Sequence, residues 1–265
     1  MRKDDYLSSQ AVKDFIGWME THLDTPDSFA HGYVKKKGRK NFEFDNLFSA
    51  YKKYDWPYVI DEFSAKLIWS LVESDDRSCV DACCSILEWG GVLRGNKERL
   101  SRLTPNPCAY FLAVQARLTT DLPSSEYFIP DIHMTSGFSK IYSAYIDDFI
   151  IYDGRVGAAL GLLVRMFCEQ TILPSIPHEL LFAWARGRGS IDRRNPSRNG
   201  YKFPEITYYH PGAYFENNIR ANWLISEIAR TTKSEFAKIE KPLRLRALEQ
   251  ALFMIGYDVS GSQSL

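Results

Sequence analysis

The chain has 265 residues, of which 45% are apolar, 25% charged and 14% aromatic, the proportions of a globular protein with a substantial core rather than of a disordered or fibrous chain. Its 33 basic and 33 acidic residues give a formal net charge of zero, which counts against holding nucleic acid by bulk charge and leaves only local patches for that purpose. The longest small and apolar run, Val156 to Val164, falls far short of the roughly 20 residues of a membrane span, and the opening MRKDDYLSSQ has no secretory apolar core, so a cytoplasmic location is expected.

The first element is a helix with Val12, Phe15, Ile16, Met19 and Leu23 on one face. A basic island follows, Lys35-Lys36-Lys37-Gly38-Arg39-Lys40, which reads equally as a solvated loop or as a phosphate-contacting surface. Phe63, Leu67, Ile68 and Leu71 predict a second helix, and Val80, Cys83, Cys84 and Leu87 a third that stops at Trp89-Gly90-Gly91. Four prolines between Thr104 and Pro130 bracket a helical stretch from Tyr110 to Leu118 that could cross between two lobes.

Gly137-Phe138-Ser139 then leads into a helix from Lys140 to about Asp147, and Tyr152-Asp153-Gly154 into another with Val156, Ala159, Leu160, Leu163, Val164 and Phe167 on one side. From Thr171 to Asn218 the chain is rich in loops and in cations, Arg186, Arg188, Arg193, Arg194, Arg198 and Lys202 against Asp192, with one short helix near Pro177. Two closing helices carry Ile219, Trp223, Leu224 and Ile228, and Leu243, Leu245, Leu248, Leu252 and Ile255; the tail SGSQSL is expected to fray. The fold class is all-α, one domain over 1–265 in two lobes, with 105–170 carrying the hairpin and the two helices after it, and 1–104 and 171–265 the remainder.

Cys79, Cys83, Cys84, Cys108 and Cys168 are odd in number and include an adjacent pair, and no CxxC occurs, so neither a disulfide framework nor a zinc or iron–sulfur site is expected. The five histidines form no HxxxH or HExxH pair. The reading is therefore of a protein with no metal and no cofactor.

By residue type and position alone, Asp153 is a helix N-cap and Lys140 a solvated first-turn lysine. The stretch Ser136-Gly137-Phe138-Ser139-Lys140, with Ile151-Tyr152-Asp153-Gly154-Arg155-Val156 after it, nevertheless resembles the signature of the helix-hairpin-helix DNA glycosylase superfamily, especially its 8-oxoguanine DNA glycosylase-like branch in bacteria. There a glycine hairpin leads into a helix bearing a lysine, and an Asp-x-x-Val step opens the next helix. Ser139 stands where a second hairpin glycine is usual.

The resemblance implies a helix-hairpin-helix core and an enzyme, a DNA N-glycosylase and abasic-site lyase, with Lys140 as nucleophile and Asp153 as the carboxylate that stabilises charge on the sugar. It implies that Gly137, Ser139 and Arg155 contact the DNA, and that the partner is double-stranded DNA with a modified base flipped out, bound by a monomer. Trp89, Tyr142, Trp184, Trp223 and Phe253 are the aromatic residues that could wall the base pocket, each also readable as core. If so, Lys140 and Asp153 must converge on one cleft. The role would be repair of host DNA or attack on modified phage DNA. Two other readings stay open: a non-catalytic helix-hairpin-helix DNA-binding protein, and a helical protein-interaction subunit.

Overall fold

The computed structural model describes residues 1–35, 40–57, 60–103, 105–119, 132–187, 193–206 and 211–261. The chain is helical, as its apolar spacing predicts. Among the described residues the elements are α1 (Lys3–Ser8), α2 (Gln10–His22), β1 (His31–Lys35), β2 (Lys40–Phe44), α3 (Leu47–Lys52), α4 (Ile60–Glu73), α5 (Asp76–Trp89), α6 (Leu93–Ser101), α7 (Pro107–Leu118), α8 (Phe138–Tyr145), α9 (Gly154–Gln170), α10 (Pro211–Thr231) and α11 (Lys241–Ile255), with short 3-10 turns at His178–Leu180 and Glu235–Lys238.

Local chemistry sets several of these boundaries. The Ser9 hydroxyl accepts the Val12 amide at the start of α2, and the Asp75 carboxylate accepts that of Ser78 at the start of α5. At the other end of α5, Gly91 takes a positive φ of 65°, which lets its own amide reach the Glu88 carbonyl and the Val92 amide reach that of Leu87. The stop at Trp89-Gly90-Gly91 is thus made by a glycine doing what other residues do at a cost.

One departure from an all-α chain is the antiparallel hairpin β1–β2, in which His31 faces Phe44 and Tyr33 faces Phe42. All four side chains are buried, so an alternating inward face runs along both strands. It lies over part of the basic island. Of that island Lys35 and Lys40 both pair with Asp55, at 3.0 and 3.1 Å, while residues 36–39 lie outside the described residues.

The closest packing falls into two sets of helices: α4, α5, α6, α7 and α8 in one, and α1, α2, α3, α9, α10 and α11, with the hairpin, in the other. α9 is buried on almost every side. Its small residues allow that. A Cβ on Gly157 would stand 2.3 Å from the Ala183 carbonyl oxygen, and one on Gly161 would stand 2.5 Å from Pro196, so the Ala183 backbone and the Pro196 ring lie directly on the helix. Arg165 fastens Pro196 there by donating to its carbonyl at 2.8 Å.

All five cysteines are free thiols. Among the described residues no helix is long and apolar enough to cross a membrane, and no three His, Cys, Asp or Glu side chains stand together in a metal-binding arrangement. The tail beyond Gly261 lies outside the described residues, as do Arg188, Asp192 and the prolines at 123 and 130.

Candidate active site

Lys140 and Asp153 come from different sets of helices. Lys140 sits in the first turn of α8, whose amides at Gly137, Phe138 and Ser139 are taken up by Thr135, through its hydroxyl for the first two and its carbonyl for the third. Asp153 is the N-cap of α9. The strand-like segment before it is pinned residue by residue: Asn222 accepts the Ile150 amide at 2.6 Å, Glu249 accepts that of Ile151 at 2.8 Å, and the Tyr152 carbonyl accepts both the Ser139 and Tyr214 hydroxyls.

The two side chains meet. Lys140 Nζ lies 3.3 Å from Asp153 Oδ2 and 3.0 Å from the Ser136 carbonyl, and their side chains are only 6% and 15% exposed. Asp153 Oδ1 accepts the amides of Arg155 and Val156, at 2.8 and 3.2 Å. One carboxylate oxygen therefore caps the helix while the other faces the amine. Burial alone would push this carboxyl up; the charges of Lys140, Arg155 and Arg194, with the Arg155 amide, outweigh it and hold the group at about 2.

Both residues line a cleft of about 870 Å³, near the upper end of the roughly 300–1,000 Å³ of small-molecule sites. Trp89 and Gly90 wall it beside Lys140. An aromatic group also lines it: Phe253, with Trp56 and Tyr54 at 5.6 and 5.9 Å between ring centroids, and Tyr257. The Arg155 guanidinium lies over these rings, 4.0 Å from Phe253, 5.1 Å from Tyr257 and 5.5 Å from Trp56. Trp89 is tied to the same wall, its indole N–H donating to the Pro57 carbonyl at 2.8 Å.

The sequence-predicted site residues divide accordingly. Lys140, Asp153, Arg155, Trp89 and Phe253 share the cleft. Tyr142 does not: it is fully buried in the core and donates to the His133 carbonyl at 2.6 Å. Trp184 and Trp223 are likewise core residues, Trp184 donating to the Phe203 carbonyl and Trp223 resting on Tyr6. Gly137 and Ser139 also point inward. A Cβ at Gly137 would overlap Asn96, and the Ser139 hydroxyl is spent on the Ser136 and Tyr152 carbonyls. Ser139 is a clip between α8 and the Asp153 segment instead of a group facing a ligand.

Sequence reasoning passed over Trp56, Tyr54 and Tyr257, and it did not single out Arg194 within its basic stretch. Of that stretch, Arg186 pairs with Glu205 at 2.8 Å and Arg193 with Asp258 at 3.4 Å; Arg186 and Arg194 line the cleft. The signal available was thin, a Trp-Pro step at 56–57 and a tyrosine after Gly256. No protein-family model, no curated protein and no solved structure matches this chain.

Proposed function

We propose that this chain is a DNA glycosylase of the helix-hairpin-helix kind that excises a modified base and cuts the strand through a Schiff base. The observation that carries the reading is the amine–carboxylate pair, 3.3 Å apart, on the wall of a large cleft with aromatic sides. In this reading the two sets of helices are the lobes between which the duplex presents its flipped base.

Each group then has a task. As the bond between C1′ and the base breaks, its electron pair leaves with the base and positive charge gathers on the sugar. Asp153, ionised throughout the physiological range, stabilises that charge from a site with little water to screen it. Lys140, as the free amine, bonds to C1′. One of its N–H protons goes to the departing base and the other to O4′ as the C1′–O4′ bond breaks, so the opened sugar carries the imine. The aromatic wall supplies flat surfaces for the base.

The non-catalytic alternative leaves the buried amine–carboxylate pair without a task; the hairpin amides do not decide between the two, because those of Gly137 and Phe138 are bonded to Thr135 in either case. Borohydride trapping on an abasic-site duplex is the test. Wild type should give a covalent adduct, Lys140→Ala none, and Asp153→Asn a weak one. A folded wild-type protein that gives no adduct with abasic DNA, nor with duplexes carrying oxidised, alkylated, deaminated or glucosylated bases, would defeat the lysine mechanism. The same panel read by gel, with host-type lesions beside phage-type modifications, assigns the substrate.

A further inference from the structure

Among the described residues, the corner of the cleft around Asp153 sets three cationic side chains against one carboxylate. Lys140, Arg155 and Arg194 all act on this one carboxylate. The other two carboxylates that line the cleft among the described residues are engaged elsewhere: Glu205 pairs with Arg186, and Glu249 pairs with Arg246 and accepts the Ile151 amide. Arg155 is stacked on aromatic rings. Arg194 is held by shape: a Cβ on Gly154, the first residue of α9, would stand 3.0 Å from its Nη1, and one on Gly187 would stand 3.2 Å from its Nε. Two glycines thus seat its guanidinium beside Asp153, where the charges of Arg155 and Arg194 oppose each other. Such an arrangement is costly until an anion joins it.

We propose that Arg194 receives the phosphate on the 3′ side of the excised nucleotide and balances the charge that this phosphate gains when the strand is cut. The inference rests on the glycosylase and lyase reading of the same cleft. In the cutting step the C2′ proton passes to water, and its bonding pair conjugates with the imine. The C3′–O bond then breaks, and its electron pair leaves with the phosphate. A phosphodiester with one negative charge becomes a phosphomonoester with two. Of the phosphates near the sugar only this one gains charge, so a fixed guanidinium favours the transition state over the ground state there. The cleft is larger than a base alone requires, leaving room for the sugar and this group.

The experiment compares wild type, Arg194→Ala and Arg194→Lys in two assays. On an abasic-site duplex, strand cutting by Arg194→Ala should fall roughly tenfold further than borohydride trapping does, with Arg194→Lys between the two proteins. Equal losses in trapping and cutting, or none in either, overturn the proposal.

The second assay needs no chemistry. It measures binding of an oligonucleotide that ends in a tetrahydrofuran abasic analogue, with either a 3′-phosphate or a 3′-hydroxyl. Wild type should prefer the phosphate form by roughly tenfold, and Arg194→Ala should lose the preference. A preference that survives in Arg194→Ala, or that is absent from wild type, overturns the proposal. If wild type shows the preference and Arg194→Ala loses it, yet neither traps nor cuts DNA, the anion site stands and the lyase reading falls. A preference for a 5′-phosphate instead would move the site to the other side of the nucleotide and overturn the leaving-group role.

Discussion

Gly90 lies flat against the stem of Lys140: a Cβ at position 90 would stand 2.5 Å from Lys140 Cδ and 2.9 Å from Cε. The turn that ends α5 therefore sets the path by which the amine reaches Asp153. Gly90→Ala should push the flexible end of the lysine aside at little cost, within about 1 kcal/mol of wild-type stability, while borohydride trapping falls roughly tenfold or more. Denaturant unfolding and trapping on the same preparation check this. Full trapping in a stable Gly90→Ala protein would show that the amine does not depend on the glycine.

Asp153 contributes stability that is lost in acid. Its carboxyl is lowered from 3.8 to about 2, so the folded state releases this proton more readily than the unfolded chain. The stabilisation is complete above about pH 4 and disappears as the pH falls towards 2. Two units correspond to about 2–3 kcal/mol. Asp153→Asn should flatten this limb of the stability curve, read by urea unfolding between pH 2 and pH 5, and should slow base release by roughly 10²–10³-fold. An unchanged acid limb would mean that the carboxylate is not held by its cations.

His31 titrates in a different window. Burial holds its imidazole down at about 4 from 6.5, against the pull of the Ile255 carbonyl and Asp258, so it folds as the neutral ring. Unfolded chain takes up the proton first. Stability is complete above about pH 6.5 and is lost as pH falls to about 4, by about 3 kcal/mol. His22, also lowered by burial, adds to the same window. His31→Gln should reduce the slope between pH 6.5 and pH 4. The same slope in the variant would place the proton uptake elsewhere.

Phe253 and Tyr142 should fail in opposite ways. Phe253→Ala removes the ring nearest the Arg155 guanidinium and part of the cleft wall. Affinity for a duplex with an abasic analogue or a flipped base should drop roughly tenfold. Tyr142→Phe deletes a hydroxyl that donates to the His133 carbonyl inside the core, and should cost about 1–2 kcal/mol of stability with DNA binding unchanged. Equilibrium binding and thermal unfolding of both variants separate pocket from core.

The helices were legible because their apolar residues recur at helical spacing: Val12, Phe15 and Met19 all turn inward, as do Val156, Ala159, Leu160, Leu163 and Val164. The hairpin was not. His31, Tyr33, Phe42 and Phe44 alternate over only two residues on each side of the cations at 35–40, too short a pattern to stand out from a charged loop.

Lys140 and Asp153 could be named only through a motif, since helix capping accounts for Asp153 by itself. The aromatic wall was hidden for a different reason. Trp56 and Tyr257 lie some two hundred positions apart on turns, and only the packing of α3 against α11 makes neighbours of them. Tyr142 and Trp184 carry the same ring chemistry. What separates them from Trp89 and Phe253 is burial, which residue type does not encode.

Because Lys140 belongs to one set of helices and Asp153 caps α9 of the other, the pair is made by docking rather than by either set alone. A nascent or partly melted chain holds an ordinary lysine and an ordinary aspartate. On the proposed glycosylase reading this amounts to a safety interlock: reactivity comes only with the complete tertiary structure and is surrendered when the two sets part.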